Sequence, residues 1–297
     1  MKLESLNCYR ILPLMGSIPA IAISLVFVSG VLAQPIAINN AGCEENTVSA
    51  GCFAVFVPIG WEVYDPNGIY DGGADSVGCV HADGSPYYDL GAPEGVNIAL
   101  VFLSGNVGQG PMGLRQSLPE VLEANTRYVL SAEIGNIRGA VGPPPCDDFG
   151  FFDLDGFPGY RLQLLAGGVV VLEDDNSLMG QIDEGQFMPT SVELVVGNTH
   201  AQIGEGLEVR LMNLNIPGPP GEPGIEVNFD DVRLERRCVG AGDLDESGVV
   251  DMGDLMTLVD VLIGLDEDAM HIERADVDCS GVADGADVAA FVERVLS

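Results

Sequence analysis

Short runs of alternating apolar and polar residues fill the middle of the chain, with turn residues rich in Gly and Pro between them. Alternation with a period of two is typical of a strand that buries one face. The alternating segments are 126–134, 160–172, 191–196, 207–211 and 225–234. Ala166-Gly167-Gly168 falls inside the second segment and predicts a hairpin turn there. Many short strands without a long helical stripe predict a β-sandwich over residues 43–237.

The pattern changes near the C-terminus, where apolar residues recur at helical spacing. Two stripes follow the i, i+3, i+4, i+7 pattern of an amphipathic helix. The first comprises Leu255, Leu258, Val259 and Leu262, and the second comprises Val288, Phe291, Val292, Val295 and Leu296. The sequence therefore predicts a mainly β protein in which a small α-helical module, residues 240–297, follows the sandwich. No helix is predicted to enter the segment before either stripe.

Each stripe follows a twelve-residue acidic loop, 243–254 or 276–287, with oxygen side chains at positions 1, 3, 5, 9 and 12. This spacing, with Gly at position 6 and a main-chain carbonyl at position 7, is typical of calcium loops. The alternative is an acidic repeat that has lost its affinity. The sequence predicts two Ca²⁺ ions. The first would be held by Asp243, Asp245, Ser247, Val249, Asp251 and Asp254, and the second by Asp276, Asp278, Ser280, Val282, Asp284 and Asp287.

The tandem of EF-hand-type loop and helix resembles the dockerin module, over residues 240–297. That resemblance implies a calcium-folded tail that docks on a cohesin-like protein or a cell-surface scaffold. Dockerins often carry a Ser-Thr pair at loop positions 10 and 11. Met252-Gly253 and Gly285-Ala286 stand there instead, so the resemblance does not specify the docking partner.

The sandwich segment resembles the galactose-binding-like jelly rolls of carbohydrate-binding modules. The likeness is carried by Ile59-Gly60-Trp61, by Gly113-Leu-Arg-Gln116 and by the closing strand Val227-Asn-Phe229-Asp230-Asp231-Val232. It implies a jelly-roll β-sandwich and carbohydrate as a partner, which would need exposed aromatic rings for stacking. The alternative for these rings is core packing. The candidate rings are Trp61, Tyr64, Tyr70, Tyr87 and Tyr88.

The N-terminus predicts export. Residues 1–33 combine a basic start, a long apolar stretch and Val31-Leu32-Ala33, which is typical of a cleaved signal peptide. An uncleaved anchor is the alternative. With cleavage the protein is expected to be secreted, extracellular or on the cell surface, and to have no membrane segment. Six cysteines follow, which favours disulfides. Cys43 with Cys52 is the pairing favoured by proximity, and Cys238 and Cys279 could join the two halves of the tail.

The net charge limits the possible partners, and the scarcity of typical catalytic groups bears on whether the protein is an enzyme. A net charge of −33 excludes nucleic acid and anionic membranes as general partners, although a saline habitat would also explain it. The three histidines lie far apart in the sequence, and no nucleophile elbow or HExxH motif occurs. We therefore predict a secreted protein that is not an enzyme, with a recognition or structural sandwich and a docking tail. The alternative is a polysaccharide-acting hydrolase, or an accessory subunit of one, anchored by the tail.

Overall fold

The structure is a computed structural model that describes residues 33–296. The predicted signal peptide, residues 1–33, lies outside the described residues except for Ala33. The strands are β1 (Gln34–Ile36), β2 (Phe53–Val55), β3 (Glu62–Tyr64), β4 (Asp75–His81), β5 (Asn97–Leu103), β6 (Met112–Val121), β7 (Thr126–Asn136), β8 (Ala140–Val141), β9 (Phe151–Phe152), β10 (Tyr160–Ala166), β11 (Val169–Asp175), β12 (Gln186–Val196), β13 (Gly206–Asn213) and β14 (Glu226–Cys238). The helices are α1 (Leu255–Leu262), α2 (Ala269–Ala275) and α3 (Asp287–Leu296), and a 3₁₀ turn covers Asp147–Phe149.

Two antiparallel sheets form the sandwich. The seven-stranded sheet has the order β12-β7-β14-β5-β4-β2, and β1 pairs with the second half of β14. The five-stranded sheet has the order β11-β10-β13-β6-β3, and β8 and β9 form a separate small hairpin. Most neighbouring strands are far apart in the sequence, as in a jelly roll. The prediction of a mainly β, jelly-roll-like sandwich followed by small helices is thus confirmed.

Strand alternation places apolar side chains on both faces of the seven-stranded sheet. On β5, Ala99, Val101 and Leu103 join the core between the two sheets. The intervening Ile98 and Leu100 join a second apolar cluster on the outer face, away from the five-stranded sheet. A strand buried on both faces reads as a continuous apolar run, and the sequence NIALVFL of β5 is such a run. The outer face of this sheet is therefore covered by other parts of the chain.

The predicted strands are confirmed, including the hairpin. β7, β12, β13 and β14 contain the alternating segments, and β10 and β11 are joined at Gly167 and Gly168. These two glycines have φ values of 59° and 79°. A two-residue hairpin turn with positive φ at both positions suits the twist of the paired strands, and glycine adopts it without a steric penalty.

Three disulfides staple the described chain: Cys43–Cys79, Cys52–Cys146 and Cys238–Cys279. The predicted Cys43–Cys52 pair is wrong. The chain between these two cysteines turns so that Cys43 meets Cys79 on β4, while Cys52, just before β2, meets the segment that precedes the 3₁₀ turn. The Cys238–Cys279 pair involves the two cysteines predicted for the tail, and it joins the end of β14 to the second acidic loop.

The tail packs its helices around a small core that contains Leu258 and Phe291. α1 and α3 confirm the two predicted stripes. α2 was not predicted, and it ends immediately before the second acidic loop, so the expectation that no helix enters that loop is wrong. The Asp268 side chain caps α2 by accepting a hydrogen bond from the Met270 N–H at 2.9 Å. Between residues 33 and 296, no helix is long and apolar enough to cross a membrane.

Candidate active site

The outer face of the seven-stranded sheet carries a cavity of about 160 Å³. Side chains of β2, β4, β5 and β14 form its floor, and the loop residue Tyr87 and the segment 149–154 contribute to its walls. The floor residues are Val55, Ser76, Val80, Leu100, Phe102 and Glu226. A mostly apolar cavity with a few placed polar groups is typical of binding sites for small organic molecules.

Phenylalanine rings enclose one side of the cavity. The ring centroid of Phe53 lies 5.3 Å from that of Phe149 and 6.2 Å from that of Phe152. Phe152 in turn lies 5.8 Å from Phe102. Phe149 remains 61% exposed at the solvent side. The Cys52–Cys146 disulfide holds the segment that carries Phe149 against the start of β2, so we name residues 142–150 the tethered flap.

Glu226 is the buried acid of the cavity floor. It is only 5% exposed, and burial raises its pKa to about 7. A carboxyl in apolar surroundings resists ionisation because its charge loses hydration. Its Oε1 accepts a hydrogen bond from the Asn228 amide at 3.0 Å. Oε2 accepts none from the part of the chain that the structure describes. Near neutral pH, Glu226 can therefore carry a proton on an oxygen that is free to reach a ligand.

Asn228 and Tyr88 fix the orientation of this acid. The Asn228 amide donates to Glu226 and also to the Ala99 carbonyl at 3.2 Å, which uses both of its hydrogens. Its Oδ1 accepts a hydrogen bond from the Tyr88 hydroxyl at 2.7 Å. Tyr88 is itself buried and stacks on Phe187 at 4.4 Å. With every polar atom paired, the amide cannot flip, so Glu226 Oε1 always meets a donor.

A second buried acid, Asp230, also has its pKa raised to about 7 by burial. Both of its oxygens accept main-chain hydrogen bonds, from the N–H groups of Glu94 and Asp231, each at 2.8 Å. Asp230 does not line the cavity. Of the two acids, only Glu226 is placed to act on a ligand.

The floor contains a straight row of three side chains across neighbouring strands. Ser76 on β4 is paired in register with Phe102 on β5, and Phe102 is paired with Glu226 on β14. Paired residues of an antiparallel sheet point to the same face. Ser76 and Glu226 thus flank the Phe102 ring, with their Cα atoms two strand spacings, about 10 Å, apart.

The five aromatic residues predicted to bind a ligand do not form one platform. Trp61 lies in the core of the sandwich and donates its indole N–H to a main-chain carbonyl at 3.1 Å. Tyr64 lies on β3 in the other sheet, where a guanidinium group sits 4.2 Å from its ring centre, and Tyr70 packs half-buried against the core. Tyr87 and Tyr88 belong to the outer-face cluster, and of the five only Tyr87 lines the cavity.

The acidic loops bring three carboxylates together in each copy, with one oxygen of each within 4.8 Å of the others. The residues are Asp243, Asp245 and Asp254 in the first loop and Asp276, Asp278 and Asp287 in the second. Asp251 and Asp284 lie outside these clusters and accept hydrogen bonds from the N–H groups of Gly253 and Ala286. The hydroxyls of Ser247 and Ser280 donate to the carbonyls of Val249 and Val282, each at 3.1 Å.

In both loops the acid at position 12 is fully buried. Asp254 accepts hydrogen bonds from the N–H groups of Leu244, Asp245 and Asp251. At position 1 of the first loop, Asp243 Oδ1 is buried and has no partner within the described residues. That oxygen can serve as a ligand without first losing a hydrogen bond.

The sequence analysis missed Glu226, Asn228 and Ser76. Glu226 and Asn228 occupy the polar positions of an alternating strand, a pattern that normally marks a face open to solvent. The cover formed by Tyr87 and the segment 149–154 turns this polar face into a cavity floor. The available signal was the continuous apolar run of β5, which indicates that the outer face of the sheet is buried.

Comparisons with known proteins identify relatives of the sandwich. The family model HpiC1-like, described as HpiC1 cyclase, matches residues 34–235. A Stig cyclase from Fischerella sp. TAU, solved in complex with (3Z)-3-(1-methyl-2-pyrrolidinylidene)-3H-indole, is 36% identical; the alignment covers 70% of this chain and 100% of that one, with a TM-score of 0.61. Another cyclase from the same organism is 37% identical, with coverages of 70% and 99% and a TM-score of 0.61. A cyclase from Fischerella sp. TAU solved in complex with 4-(1H-indol-3-yl)butan-2-one is 37% identical. The alignment covers 70% of this chain and 99% of that one, with a TM-score of 0.60. Comparison with curated proteins gives no match.

These relatives overturn the function predicted from the sequence. They are cyclases, so the prediction of a non-catalytic docking protein is wrong, and so is the prediction that the chain is not an enzyme. Neither the dockerin and EF-hand interpretations of the tail nor the polysaccharide interpretation of the sandwich gains support from the comparisons. The physical reason is that the prediction rested on the lack of histidine constellations and activated nucleophiles, a criterion that does not detect a single carboxyl buried in an apolar cavity.

Proposed function

Because the chain belongs to the HpiC1-like cyclase family, we propose that it closes a ring in an apolar aromatic substrate, with Glu226 as the acid that starts the reaction. One observation carries this proposal: a carboxyl with a pKa of about 7 stands on the floor of a cavity lined mainly by apolar side chains. An acid whose pKa lies near the working pH has both a useful protonated fraction and a useful driving force for proton transfer.

The chemistry follows from the surroundings of Glu226. The protonated carboxyl donates its proton through Oε2 to a basic atom or an electron-rich carbon of the substrate. The resulting cation lies among the rings of Phe102, Phe149 and Phe152, whose faces attract positive charge. A carbon–carbon π bond of the substrate breaks and supplies the electron pair for a new internal carbon–carbon bond, and loss of a proton to the Glu226 carboxylate then restores a double bond. The substrate loses no atoms and no electrons, so the product is an isomer of the substrate.

We infer indole-containing compounds as the substrate class. Two of the similar cyclase structures hold such compounds, a pyrrolidinylidene indole and an indolyl butanone. The cavity of this chain offers aromatic faces and a carboxyl, which suit a flat ring with few polar atoms.

Turnover of indoles that carry an alkenyl side chain tests this function. Wild-type protein is expected to yield a product of unchanged mass and new retention time, at a rate that falls as the pH rises through about 7, where Glu226 loses its proton. Glu226→Gln keeps the shape of the side chain and should lower the rate by roughly 10²- to 10⁴-fold.

Glu235→Gln on the same strand is the matched control, since Glu235 does not line the cavity, and it should turn over like the wild type. Wild-type rates in Glu226→Gln would refute the role of the acid. The absence of both an isomeric product and any binding of 4-(1H-indol-3-yl)butan-2-one would refute the function.

We propose a second property for the tail, that its two acidic loops each bind a calcium ion. The doubled twelve-residue spacing supports this, as does the buried Asp243 Oδ1, which has no partner in the described chain. Asp243, Asp245 and Asp254 fit a hard cation in the first loop, and Asp276, Asp278 and Asp287 fit one in the second. The ions would offset the repulsion among these carboxylates and so stabilise a tail with a small core.

Calorimetric titration of the full chain with Ca²⁺ tests the second property. Two ions per chain are expected, and one after Asp243→Asn or Asp276→Asn. Asp260→Asn, in α1 and outside both clusters, should leave the titration unchanged. A titration without heat at any accessible concentration would remove the proposal, whatever the outcome for the cyclase.

A further inference from the structure

The cavity floor holds a second polar side chain whose role is unassigned. Ser76 is fully buried, and its Oγ has no hydrogen-bond partner within the described residues. It lines the same cavity as Glu226. The third polar residue of the lining, Tyr87, places its hydroxyl beside Gly142 of the tethered flap. Ser76 is therefore the cavity's buried hydroxyl without a partner.

A buried hydroxyl without a partner destabilises a fold, because it has given up its hydrogen bonds to water and gained none. Packing alone would be better served by alanine at position 76. The main chain of β4 pairs with β5 at Ser76, and the Ser76 Oγ takes no part in this pairing. The hydroxyl can recover a partner when the cavity fills with a ligand that carries a hydrogen-bonding atom.

Register places this hydroxyl relative to the acid. Ser76, Phe102 and Glu226 form one row on the floor, with Phe102 in the middle. A flat ring lying over Phe102 would present one end to Glu226 and the other to Ser76. The two polar groups thus define both the position and the direction of a bound molecule.

We propose that Ser76 is a specificity-determining residue that hydrogen-bonds a heteroatom of the substrate at the end of the cavity opposite Glu226. This inference rests on the proposed function, and it narrows the substrate class. The substrate is an aromatic molecule with a protonation site at one end and a nitrogen or oxygen at the other, which Ser76 holds so that the protonation site faces Glu226 Oε2.

Ser76→Ala and three probes test the inference: 4-(1H-indol-3-yl)butan-2-one, its N-methylated form and 3-butylindole, which lacks the carbonyl. Wild type should bind the first probe roughly 3- to 10-fold more tightly than Ser76→Ala does, as expected for one neutral hydrogen bond. One of the two analogues should bind both proteins equally, because it lacks the atom that Ser76 holds. Ser85→Ala is the matched control: Ser85 Oγ is also buried and without a partner, but it lies outside the cavity lining.

Thermal unfolding of the free proteins supplies a second readout. Ser76→Ala should unfold at the wild-type temperature or above, since the lost hydroxyl had no partner. A clear fall in melting temperature would show that the hydroxyl is already paired and would overturn the inference. Equal affinity of wild type and Ser76→Ala for the first probe would overturn it too, while leaving the proposed function intact. Failure of wild type to bind any probe would overturn the inference, and together with the absence of an isomeric product it would refute the proposed function as well.

Discussion

Replacing Glu226 with glutamine tests how strongly the cavity resists a negative charge. Burial raises the pKa of this carboxyl from 4.5 to about 7. One pKa unit corresponds to about 1.4 kcal/mol, so the shift corresponds to about 3 kcal/mol of folding free energy. Glu226 is 5% exposed, so solvent screening reduces this figure little. Glutamine has nearly the same shape and cannot ionise.

The sign of the effect follows from linkage between protonation and folding. The folded state holds the Glu226 proton more tightly than the unfolded state does, because the folded-state pKa is the higher one. The contribution of Glu226 to stability is therefore complete below pH 4.5. It is lost as the pH rises from 4.5 to about 7 and changes no further above that. Glu226→Gln lacks this loss.

Urea unfolding of both proteins between pH 4 and pH 8 provides the measurement. The stability of Glu226→Gln relative to wild type should rise by about 3 kcal/mol over this range. Asp230, whose pKa is also raised to about 7, titrates in both proteins and cancels in the difference. Ser85→Ala, which changes a buried hydroxyl outside the cavity lining and no ionisable group, is the control and should show a flat difference. A flat difference for Glu226→Gln would refute the reasoning, since the cavity would then tolerate the charge.

Three further predictions follow from the surroundings of the acid. Tyr88→Phe leaves Asn228 Oδ1 without its donor, so the protein should lose about 1–3 kcal/mol of stability. The alkaline limb of the pH–rate profile should move to higher pH, because Asn228 then holds Glu226 less firmly; an unmoved limb would contradict the role of Tyr88 and Asn228 in positioning Glu226. The double variant Cys52→Ser, Cys146→Ser frees the tethered flap and should be about 4 kcal/mol less stable in thermal unfolding. Its KM should be higher than that of the wild type, and an unchanged KM would show that the flap does not shape the cavity. Gly78→Ala would place a Cβ on the carbonyl oxygen of Ala54 and should weaken the β2–β4 pairing, read as faster amide exchange along β2; wild-type exchange there would contradict the close approach.

The sequence pattern predicted the sandwich well because its strands depend on the local alternation of apolar and polar residues and on the turn residues between them. β10 and β11 needed only alternation and a Gly-Gly turn with positive φ. β14 needed only alternation, since Val227 and Phe229 must enter the core. The two acidic loops could also be located from spacing, because their carboxylates belong to short continuous segments.

The candidate site could not be predicted in the same way because it is assembled from distant segments. Burial raises the pKa of Glu226, and the cavity around it is built from the segment 149–154, more than 70 residues earlier in the chain, and from strands that are not its sequence neighbours. The Cys52–Cys146 bond that tethers this flap spans 94 residues. α2 was missed because its apolar residues Met270 and Ile272 stay largely exposed, so no stripe marks it and only the Asp268 cap does.

The Cys238–Cys279 disulfide has a consequence for how the tail can be lost. It closes a covalent ring that contains α1, α2 and the first acidic loop, and α3 lies just beyond it. The connection between α1 and α2 exposes Ile263 and Leu265, which makes it a natural point of proteolytic attack. A cut there would leave both fragments joined, with α3 still held to the end of β14. Shedding of the tail then requires a reductant as well as a protease, so its retention is governed by redox conditions as much as by an unbroken backbone.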